Sequence, residues 1–307
     1  MAKVLVATDK PFAKEAVDGI VKVVEKAGFT CALLESYTSK QQLLDAVVDA
    51  DAIIIRSDII DKEVIDAAKQ LKIVVRAGAG YDNIDLDACT ARGIVAMNTP
   101  GQNANAVAEL VFGMLVFFNR VSFSGKSGTE LRGKTLGIQA FGNIGRLVAK
   151  IGKGFGMKVY AFDPFVSHPV IEAEGVISLN TIEELYSNCQ YVSLHIPATE
   201  KTIKSINYNL LSKMPKGATL INTARKEVIH EDDLLKIMSE RKDFVYISDI
   251  QPGKLAEFEE NYKGRYFFTP KKIGAQTEEA NINAGIAAAK QIVGFITNGD
   301  KTFQVNK

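Results

Sequence analysis

The chain has 307 residues, of which 47% are hydrophobic and 24% are charged, a composition too apolar for a disordered protein and a length sufficient for two globular domains. Lysine and arginine (37) balance aspartate and glutamate (36), and the basic residues are dispersed along the chain. This excludes the clustered basic surface of a nucleic-acid-binding protein, so any anionic ligand must be small and held by a few arginines or lysines.

The spacing of the cysteines and the hydropathy of the chain indicate the compartment in which we expect the protein. Cys31, Cys89 and Cys189 have neither paired spacing nor the spacing of zinc ligands, so we expect core thiols, no metal site and a reducing compartment. The N-terminus resembles a strand and not a signal peptide. The longest apolar stretch, residues 106–118, contains Glu109 and is too short to span a bilayer. We therefore expect a cytoplasmic protein without membrane contact, in which this stretch is a buried helix.

The first third of the chain alternates apolar runs with amphipathic stretches. A helical stretch at residues 11–28 carries an apolar stripe and ends at a glycine. Continuous apolar strands that alternate with helices are typical of a parallel sheet covered on both faces. The predicted strands are residues 3–8, 31–35, 52–56, 72–76 and 94–98.

The same alternation begins again at Thr135 and continues to a long final helix. That helix follows Thr277, has acidic residues in its first turn and stops at Gly299, as the helix dipole and a glycine cap favour. The sequence therefore predicts two α/β units. In the second, a helix is predicted at residues 144–155, and strands at residues 136–140, 158–162, 190–195, 218–222, 245–249 and 266–269.

The segment TLGIQAFGNIG at residues 135–145 joins a predicted strand to a predicted helix, and Asp163 ends the next strand. A glycine turn lets the backbone approach a pyrophosphate at a helix N-terminus, and the carboxylate binds the adenosine ribose. Ala140 replaces the first glycine of the fingerprint, so a turn that only helps packing is the alternative. Asp163 would repel a 2′-phosphate, which favours NAD over NADP. The predicted cofactor turn comprises Phe141, Gly142, Asn143, Ile144 and Gly145.

Further segments, in order along nearly the whole chain, resemble the D-2-hydroxyacid dehydrogenases. Asp249 matches the aspartate that the family has after the corresponding strand, and Arg56 and Ser57, with the segment at Arg76, are most similar to the phosphoglycerate branch. The matching segments are residues 75–85 (VRAGAGYDNID), 98–101 (NTPG), 107–110 (VAEL), 131–137 (LRGKTLG), 192–197 (VSLHIP), 221–225 (INTAR) and 269–280 (TPKKIGAQTEEA).

This resemblance implies two doubly wound parallel-sheet α/β domains. A Rossmann domain at residues 99–275 is inserted into a flavodoxin-like substrate domain formed by residues 1–98 and 276–307, and the substrate binds between them. The resemblance also implies a homodimer, with the helix at residues 106–118 as its surface. Because the chain stops soon after its last helix, we expect a short form without a C-terminal regulatory domain.

The resemblance also assigns roles to individual residues. Arg225 binds the substrate carboxylate and polarises the C2 oxygen, and Asp249 holds the nicotinamide carboxamide; a surface ion pair is the alternative for Arg225. Backbone N–H groups of Gly78 and Ala79 bind the carboxylate, Ala77 belongs to the same substrate-binding turn, and Asn103 lies near the same pocket. His195 lies by the cofactor, or is a core histidine. The other residues expected at the cofactor are Ile196, Pro197, Thr223 and Ala224.

Two positions depart from the family pattern. The general acid/base histidine is missing where the chain reads PKKI at residues 270–273, and its glutamate partner is missing from IQPG at residues 250–253. We predict that a lysine replaces the histidine, with Lys272 preferred and Lys271 second. Because a lysine needs no carboxylate to select a tautomer, the loss of the glutamate agrees with this prediction.

The function that the resemblance implies is oxidation of 3-phospho-D-glycerate to 3-phosphooxypyruvate, with hydride transfer to NAD, in serine biosynthesis. Arg56 and Arg76, at strand ends of the first domain, would bind the phosphate. Two alternatives stay open: a dehydrogenase or reductase for another 2-hydroxyacid, such as hydroxypyruvate, glyoxylate or lactate, and a non-catalytic NAD-sensing module.

Overall fold

A computed structural model describes residues 1–306 and divides the chain into two compact units. The first unit is Met1–Asn103 with Gln276–Lys307, and the second is Ala104–Ala275. We expected the first boundary at residue 99; the structure leaves the loop at residues 99–103 with the first unit.

All the strands are parallel within their sheets. They are β1 Lys3–Thr8, β2 Thr30–Glu35, β3 Ala52–Ile55, β4 Ile73–Arg76, β5 Val95–Asn98, β6 Thr135–Gln139, β7 Lys158–Phe162, β8 Ile177–Ser178, β9 Tyr191–Leu194, β10 Thr219–Asn222, β11 Val245–Ser248 and β12 Tyr266–Phe268. The helices are α1 Lys14–Lys26, α2 Lys40–Ala46, α3 Lys62–Ala67, α4 Leu86–Ala91, α5 Ala104–Asn119, α6 Asn143–Gly154, α7 His168–Glu172, α8 Ile182–Asn188, α9 Tyr208–Leu211, α10 Glu231–Glu240, α11 Leu255–Asn261 and α12 Glu278–Asn298.

The sheet of the first unit has the order β2-β1-β3-β4-β5. This is the flavodoxin-like order, whose chain direction switches between β1 and β3. One apolar layer on the sheet contains Leu43 and Val64, and the other contains Ile20 and Ile292, so helices cover both faces. The prediction of a doubly wound α/β unit is therefore confirmed.

The sheet of the second unit has the order β12-β11-β10-β9-β6-β7-β8. Counted from its own first strand, this is the Rossmann order with one strand added, and the switch point lies between β6 and β9. The Rossmann prediction is confirmed, although β8 was missed because it has only two residues, Ile177 and Ser178.

Helix α12 returns the chain to the first unit and packs on α1 through glycines. A Cβ atom added at Gly19 would lie 2.7 Å from Ile286, and one at Gly285 would lie 2.9 Å from Ile20. The capping signals in the sequence hold: Thr277 accepts a hydrogen bond from Ala280 N–H, and Gly299 ends the helix with φ 70°.

Helix α5 is the long apolar helix predicted at residues 106–118. Most of its apolar residues are buried within the second unit, where Phe112 stacks on Phe155 with ring centroids 5.1 Å apart. No helix in residues 1–306 is long and apolar enough to cross a membrane.

Candidate active site

The turn between β6 and α6 has the conformation of a dinucleotide-binding turn. Ala140 stands at the fingerprint's first glycine with φ 78°, a left-handed conformation that costs an L-residue about 1–2 kcal/mol. A Cβ atom at Gly145 would lie 2.3 Å from Ala140 O, so only glycine fits there. A Cβ atom at Gly142, the N-cap of α6, would meet nothing within 4 Å. Open space thus faces the helix N-terminus, where the first N–H groups, including those of Asn143 and Ile144, have no intrahelical acceptor.

Asp163 follows β7 and fixes this turn. Its Oδ2 accepts from Phe141 N–H at 2.7 Å, and its Oδ1 accepts from Phe165 N–H at 2.8 Å. The Phe141 side chain is fully buried and its N–H is used by Asp163, so this residue shapes the turn and the donors for a pyrophosphate come from the residues after it. Beyond Asp163 lies an open groove of about 500 Å³, bordered by the β7–α7 loop and by the segment around Asn180.

Two buried polar atoms without partners lie at the ends of β9 and β10. His195 Nε2 is 3.0 Å from Ser193 Oγ, but His195 Nδ1 and Thr223 Oγ1 have no hydrogen-bond partner among residues 1–306. Burial lowers the pKa of His195 to about 3, so the imidazole is neutral. Buried polar atoms are nearly always paired, so these two indicate a polar ligand. Ile196 and Pro197 continue the loop after His195, with Pro197 exposed.

The side-chain amide of Asn222, a residue to which the sequence analysis assigned no role, holds the loop that contains Arg225. Asn222 Oδ1 accepts from Ala224 N–H at 2.9 Å, and Asn222 Nδ2 donates to Arg225 O at 3.0 Å. The signal in the sequence is an asparagine two residues before a loop N–H, as in an Asx turn. The Arg225 side chain is exposed at this loop, donates to Ala224 O at 3.1 Å, and makes no ion pair with residues 1–306.

The strand order of the second unit brings Lys272 next to the loop that contains Thr223. Its Nζ donates to Asp249 Oδ1 at 2.9 Å and to Thr223 O at 3.1 Å. Burial lowers the pKa of Lys272, the fully buried Asp249 carboxylate opposes this, and the Arg225 charge adds to the lowering; the net shift is downward. Lys271 is exposed.

A lysine base needs no carboxylate partner, yet Lys272 has one in Asp249. Sequence reasoning missed the pair because Asp249 follows β11 while Lys272 follows β12, and only the pairing of these two strands brings them together. Gly274 N–H donates to Asp249 Oδ2 at 3.0 Å. A Cβ atom at Gly274 would lie 2.6 Å from that oxygen, so the close approach requires glycine.

In the first unit, Arg56 is a half-buried cation bound only by neutral groups. Its guanidinium donates to Lys10 O, Pro11 O and Asn281 Oδ1 at 2.8–3.2 Å and makes no ion pair with residues 1–306. Burial lowers the pKa of Arg56, although Asp58 and Asp9 oppose the shift. The neighbouring Ser57 donates to Asp9 at 3.3 Å.

Arg76 supports the turn that follows β4. Its Nε donates to Arg56 O at 3.0 Å and its Nη1 donates to Gly80 O at 3.2 Å. A Cβ atom at Gly78 would lie 2.3 Å from Arg76 Nη1. The arginine therefore lies directly beneath the turn.

Of the two backbone N–H groups expected to bind a carboxylate, that of Gly78 is already used, as is the N–H of the neighbouring Ala77. Ala77 N–H donates to Ile55 O at 2.8 Å, and Gly78 N–H donates to Arg76 O at 2.9 Å. The Ala79 N–H has no acceptor among the described residues, while Ala79 O is held by Asn98 at 2.6 Å. Asn103, half-buried, ends this segment of the unit.

Residues 93–261, more than half of the chain, match the family model described as the D-isomer specific 2-hydroxyacid dehydrogenase, NAD binding domain. A hydroxypyruvate reductase from Thermotoga maritima is 32% identical, over 95% of this chain and 98% of its own length. The chain belongs to the D-isomer specific 2-hydroxyacid dehydrogenase family. The match to an NAD-binding domain confirms the prediction of NAD as the cofactor.

Two further relatives are described as 3-phosphoglycerate dehydrogenases. The crystal structure of an NAD⁺-bound 3-phosphoglycerate dehydrogenase from Entamoeba histolytica has a TM-score of 0.88 and 50% identity, covering 100% of this chain and 99% of that one. The D-3-phosphoglycerate dehydrogenase of Methanocaldococcus jannaschii is 34% identical over 95% of this chain. The chain spans only 57% of that relative's length.

The residues of this family member fit NAD. The open N-terminus of α6 suits a pyrophosphate, Asp163 suits ribose hydroxyls, and the unpartnered atoms of His195 and Thr223 suit a polar ring with its own donors and acceptors. No group of three or more metal-ligating side chains occurs in residues 1–306.

Proposed function

We propose that the protein is an NAD-dependent dehydrogenase that oxidises 3-phospho-D-glycerate to 3-phosphooxypyruvate, the entry reaction of serine biosynthesis. The observation that carries the dehydrogenase assignment is the half-buried Lys272 amine, which donates to Asp249 Oδ1 at 2.9 Å and to Thr223 O at 3.1 Å and has a lowered pKa. A non-catalytic NAD-sensing module has no need of an ionisable group in this state. A relative 50% identical is described as a 3-phosphoglycerate dehydrogenase, which supports the substrate.

NAD would be held by residues of the second unit. The turn from Phe141 to Gly145 binds its pyrophosphate, Asp163 its adenosine ribose, and the loops at residues 195–197 and 223–224 its nicotinamide half. When bound, NAD supplies the acceptor for the hydride that leaves C2 of the substrate. Asp249 was expected to hold the carboxamide; both of its oxygens already accept hydrogen bonds, so it also anchors Lys272 and Gly274.

Lys272 Nζ would take the proton of the C2 hydroxyl. A neutral amine has two N–H donors and one lone pair. Asp249 Oδ1 and Thr223 O accept from the two donors, so the lone pair is left for the substrate's proton. In the reducing direction the third N–H of the protonated amine would donate to the forming alkoxide. Arg225 would bind the carboxylate and stabilise the developing C2 oxygen charge, because its guanidinium presents a fixed fork of donors.

Arg56 would supply the positive charge for a phosphate. Its three hydrogen bonds go to neutral oxygens, which leaves the Nε–H and one Nη2–H without acceptors among residues 1–306. A half-buried cation without an ion pair is costly unless an anion binds it. Arg76 would assist substrate binding by fixing the turn after β4, in which the Ala79 N–H would donate to the substrate carboxylate.

The second candidate is a hydroxypyruvate reductase, because a relative with that name matches over nearly its full length. Steady-state NADH formation with 3-phospho-D-glycerate, D-glycerate, D-lactate and glycolate separates the two. We expect the highest kcat/KM with phosphoglycerate, and Arg56→Ala to raise KM for that substrate far more than for the others. An equal effect on all four would favour the second candidate, and no NADH with any of them would favour the non-catalytic module.

We further propose a homodimer. Since most apolar residues of α5 are buried in their own unit, the remaining apolar surface lies just after this helix, at Val121 and Phe123, which is 65% exposed. We expect Phe123→Ser to shift the protein from dimer to monomer in sedimentation experiments. An unchanged dimer in this variant would place the contact elsewhere.

A further inference from the structure

Tyr246 on β11 carries a hydroxyl into an apolar part of the second unit. The residue is 2% exposed, and its ring centroid lies 5.4 Å from that of Phe268 and 6.0 Å from that of Phe258. A phenylalanine ring would fill the same volume without burying a hydroxyl, and that burial is unfavourable unless the hydroxyl has a hydrogen-bond partner. The hydroxyl is therefore the part of this side chain that packing does not explain.

The partner of this hydroxyl is the side-chain amide of Asn222 on the neighbouring strand. Asn222 Nδ2 donates to Tyr246 OH at 3.3 Å, in a buried hydrogen bond. The register of β10 and β11 aligns Asn222 with Ser248, which is two residues after Tyr246 and on the same face of the sheet. Ser248 Oγ donates to Asn222 O at 2.9 Å. Residues of β11 thus hold both the amide and the backbone of Asn222.

The Asn222 amide uses all of its donors and its acceptor. One Nδ2–H donates to Tyr246, the other donates to Arg225 O at 3.0 Å, and Oδ1 accepts from a loop N–H at 2.9 Å. The same loop presents Thr223 O, which accepts from Lys272 Nζ at 3.1 Å. One amide therefore fixes the loop on which the placement of both Arg225 and Lys272 depends, and Tyr246 fixes the orientation of that amide.

We infer that Tyr246 is a positioning residue for the reaction, which acts through Asn222 on the loop from Thr223 to Arg225. The inference rests on the proposed roles of Arg225 and Lys272. Without the hydroxyl, one Nδ2–H of Asn222 would be buried without an acceptor, which is unfavourable, so the amide would rotate out of the geometry that holds the loop. A displacement of reacting groups by about 1 Å can slow a reaction by a factor of about 10². The ring of Tyr246 fills the core, and its hydroxyl serves the reaction.

Tyr246→Phe tests this inference because it removes the hydroxyl and keeps the ring. We expect it to lower kcat/KM for 3-phospho-D-glycerate about tenfold. The Kd for ADP-ribose, measured by isothermal titration, should be unchanged, because the residues proposed to bind its pyrophosphate and adenosine ribose lie outside the loop from Thr223 to Arg225.

Tyr191→Phe is the matched control. Tyr191 is equally buried, and its hydroxyl also accepts from an asparagine amide, that of Asn119, at 3.1 Å. It begins β9, at the opposite edge of the sheet from the loop that follows β10. Both variants should lower the midpoint of urea unfolding, since each loses a buried hydrogen bond, but only Tyr246→Phe should lower kcat/KM.

A double-mutant cycle tests the route through Asn222. If Tyr246 acts through this amide, Tyr246→Phe combined with Asn222→Ala should have the same kcat/KM as Asn222→Ala alone. If Asn222→Ala does not fold, the comparison of the two tyrosine variants decides alone.

Three results would overturn the inference and leave the proposed function intact: a wild-type kcat/KM in Tyr246→Phe, an equal loss of kcat/KM in Tyr191→Phe, or a loss in the double variant equal to the product of the two single losses. A wild-type chain that forms no NADH with phosphoglycerate would overturn the proposed function, and the inference with it.

Discussion

Replacing Ala140 with glycine should stabilise the second unit, contrary to the usual effect of glycine. Ala140 has φ 78°, and a left-handed L-residue costs about 1–2 kcal/mol that glycine avoids. The greater conformational freedom of glycine in the unfolded chain offsets about 0.4–1 kcal/mol of this stabilisation. The net gain is about 0.5–1 kcal/mol, which corresponds to roughly 1–4 °C in Tm for a unit of this size. NAD affinity should be retained, because glycine adopts the same backbone conformation.

Urea unfolding followed by far-UV circular dichroism, with and without NAD, measures this gain as a higher midpoint at an unchanged slope. The matched control is Ala173→Gly, because Ala173 is an exposed alanine of the same unit with φ −58°. That variant should lose about 0.5–1 kcal/mol. If Ala140→Gly were destabilised as much as Ala173→Gly, the strain argument would be refuted.

Three further predictions concern the reaction. Lys272→Ala should lower kcat by a factor of roughly 10²–10⁴ and leave the Kd for NAD unchanged. Lys271→Ala should have a near-normal kcat. A near-normal kcat in both variants would exclude the lysine mechanism. Oxidation requires neutral Lys272, so kcat for oxidation should rise with pH through the pKa of Lys272. Because Asp249 raises that pKa, Asp249→Asn should move the rise in kcat to lower pH. A shift of the rise to higher pH would contradict the pairing of Lys272 with Asp249. The kcat/KM for NAD should be at least about tenfold higher than that for NADP, since about 1.4 kcal/mol of repulsion between Asp163 and the 2′-phosphate is enough for a factor of ten. Asp163→Ser should reduce this ratio of kcat/KM values. Equal kcat/KM for both cofactors in the wild type would contradict the role of Asp163.

The fold was predictable because the information is local. Apolar runs such as β1 and β3 become buried strands, and caps such as Thr277 and Gly299 act within a few residues. The partners of charged side chains were not predictable, because they come from distant parts of the chain. The acceptor of Arg56 on α12, Asn281, is 225 residues away in sequence. Asp249 meets Lys272 only after two strands pair.

The insertion of one unit within the other has a consequence for the order of assembly during translation. The second unit, Ala104–Ala275, is contiguous and can fold as soon as it leaves the ribosome. The first unit must wait for α12, whose Gly285 packs on Ile20 near the start of the chain. Such distant contacts are entropically costly to close and form slowly. Until then α1 leaves an apolar stripe uncovered, and transiently exposed apolar surface of this kind promotes aggregation of a folding chain.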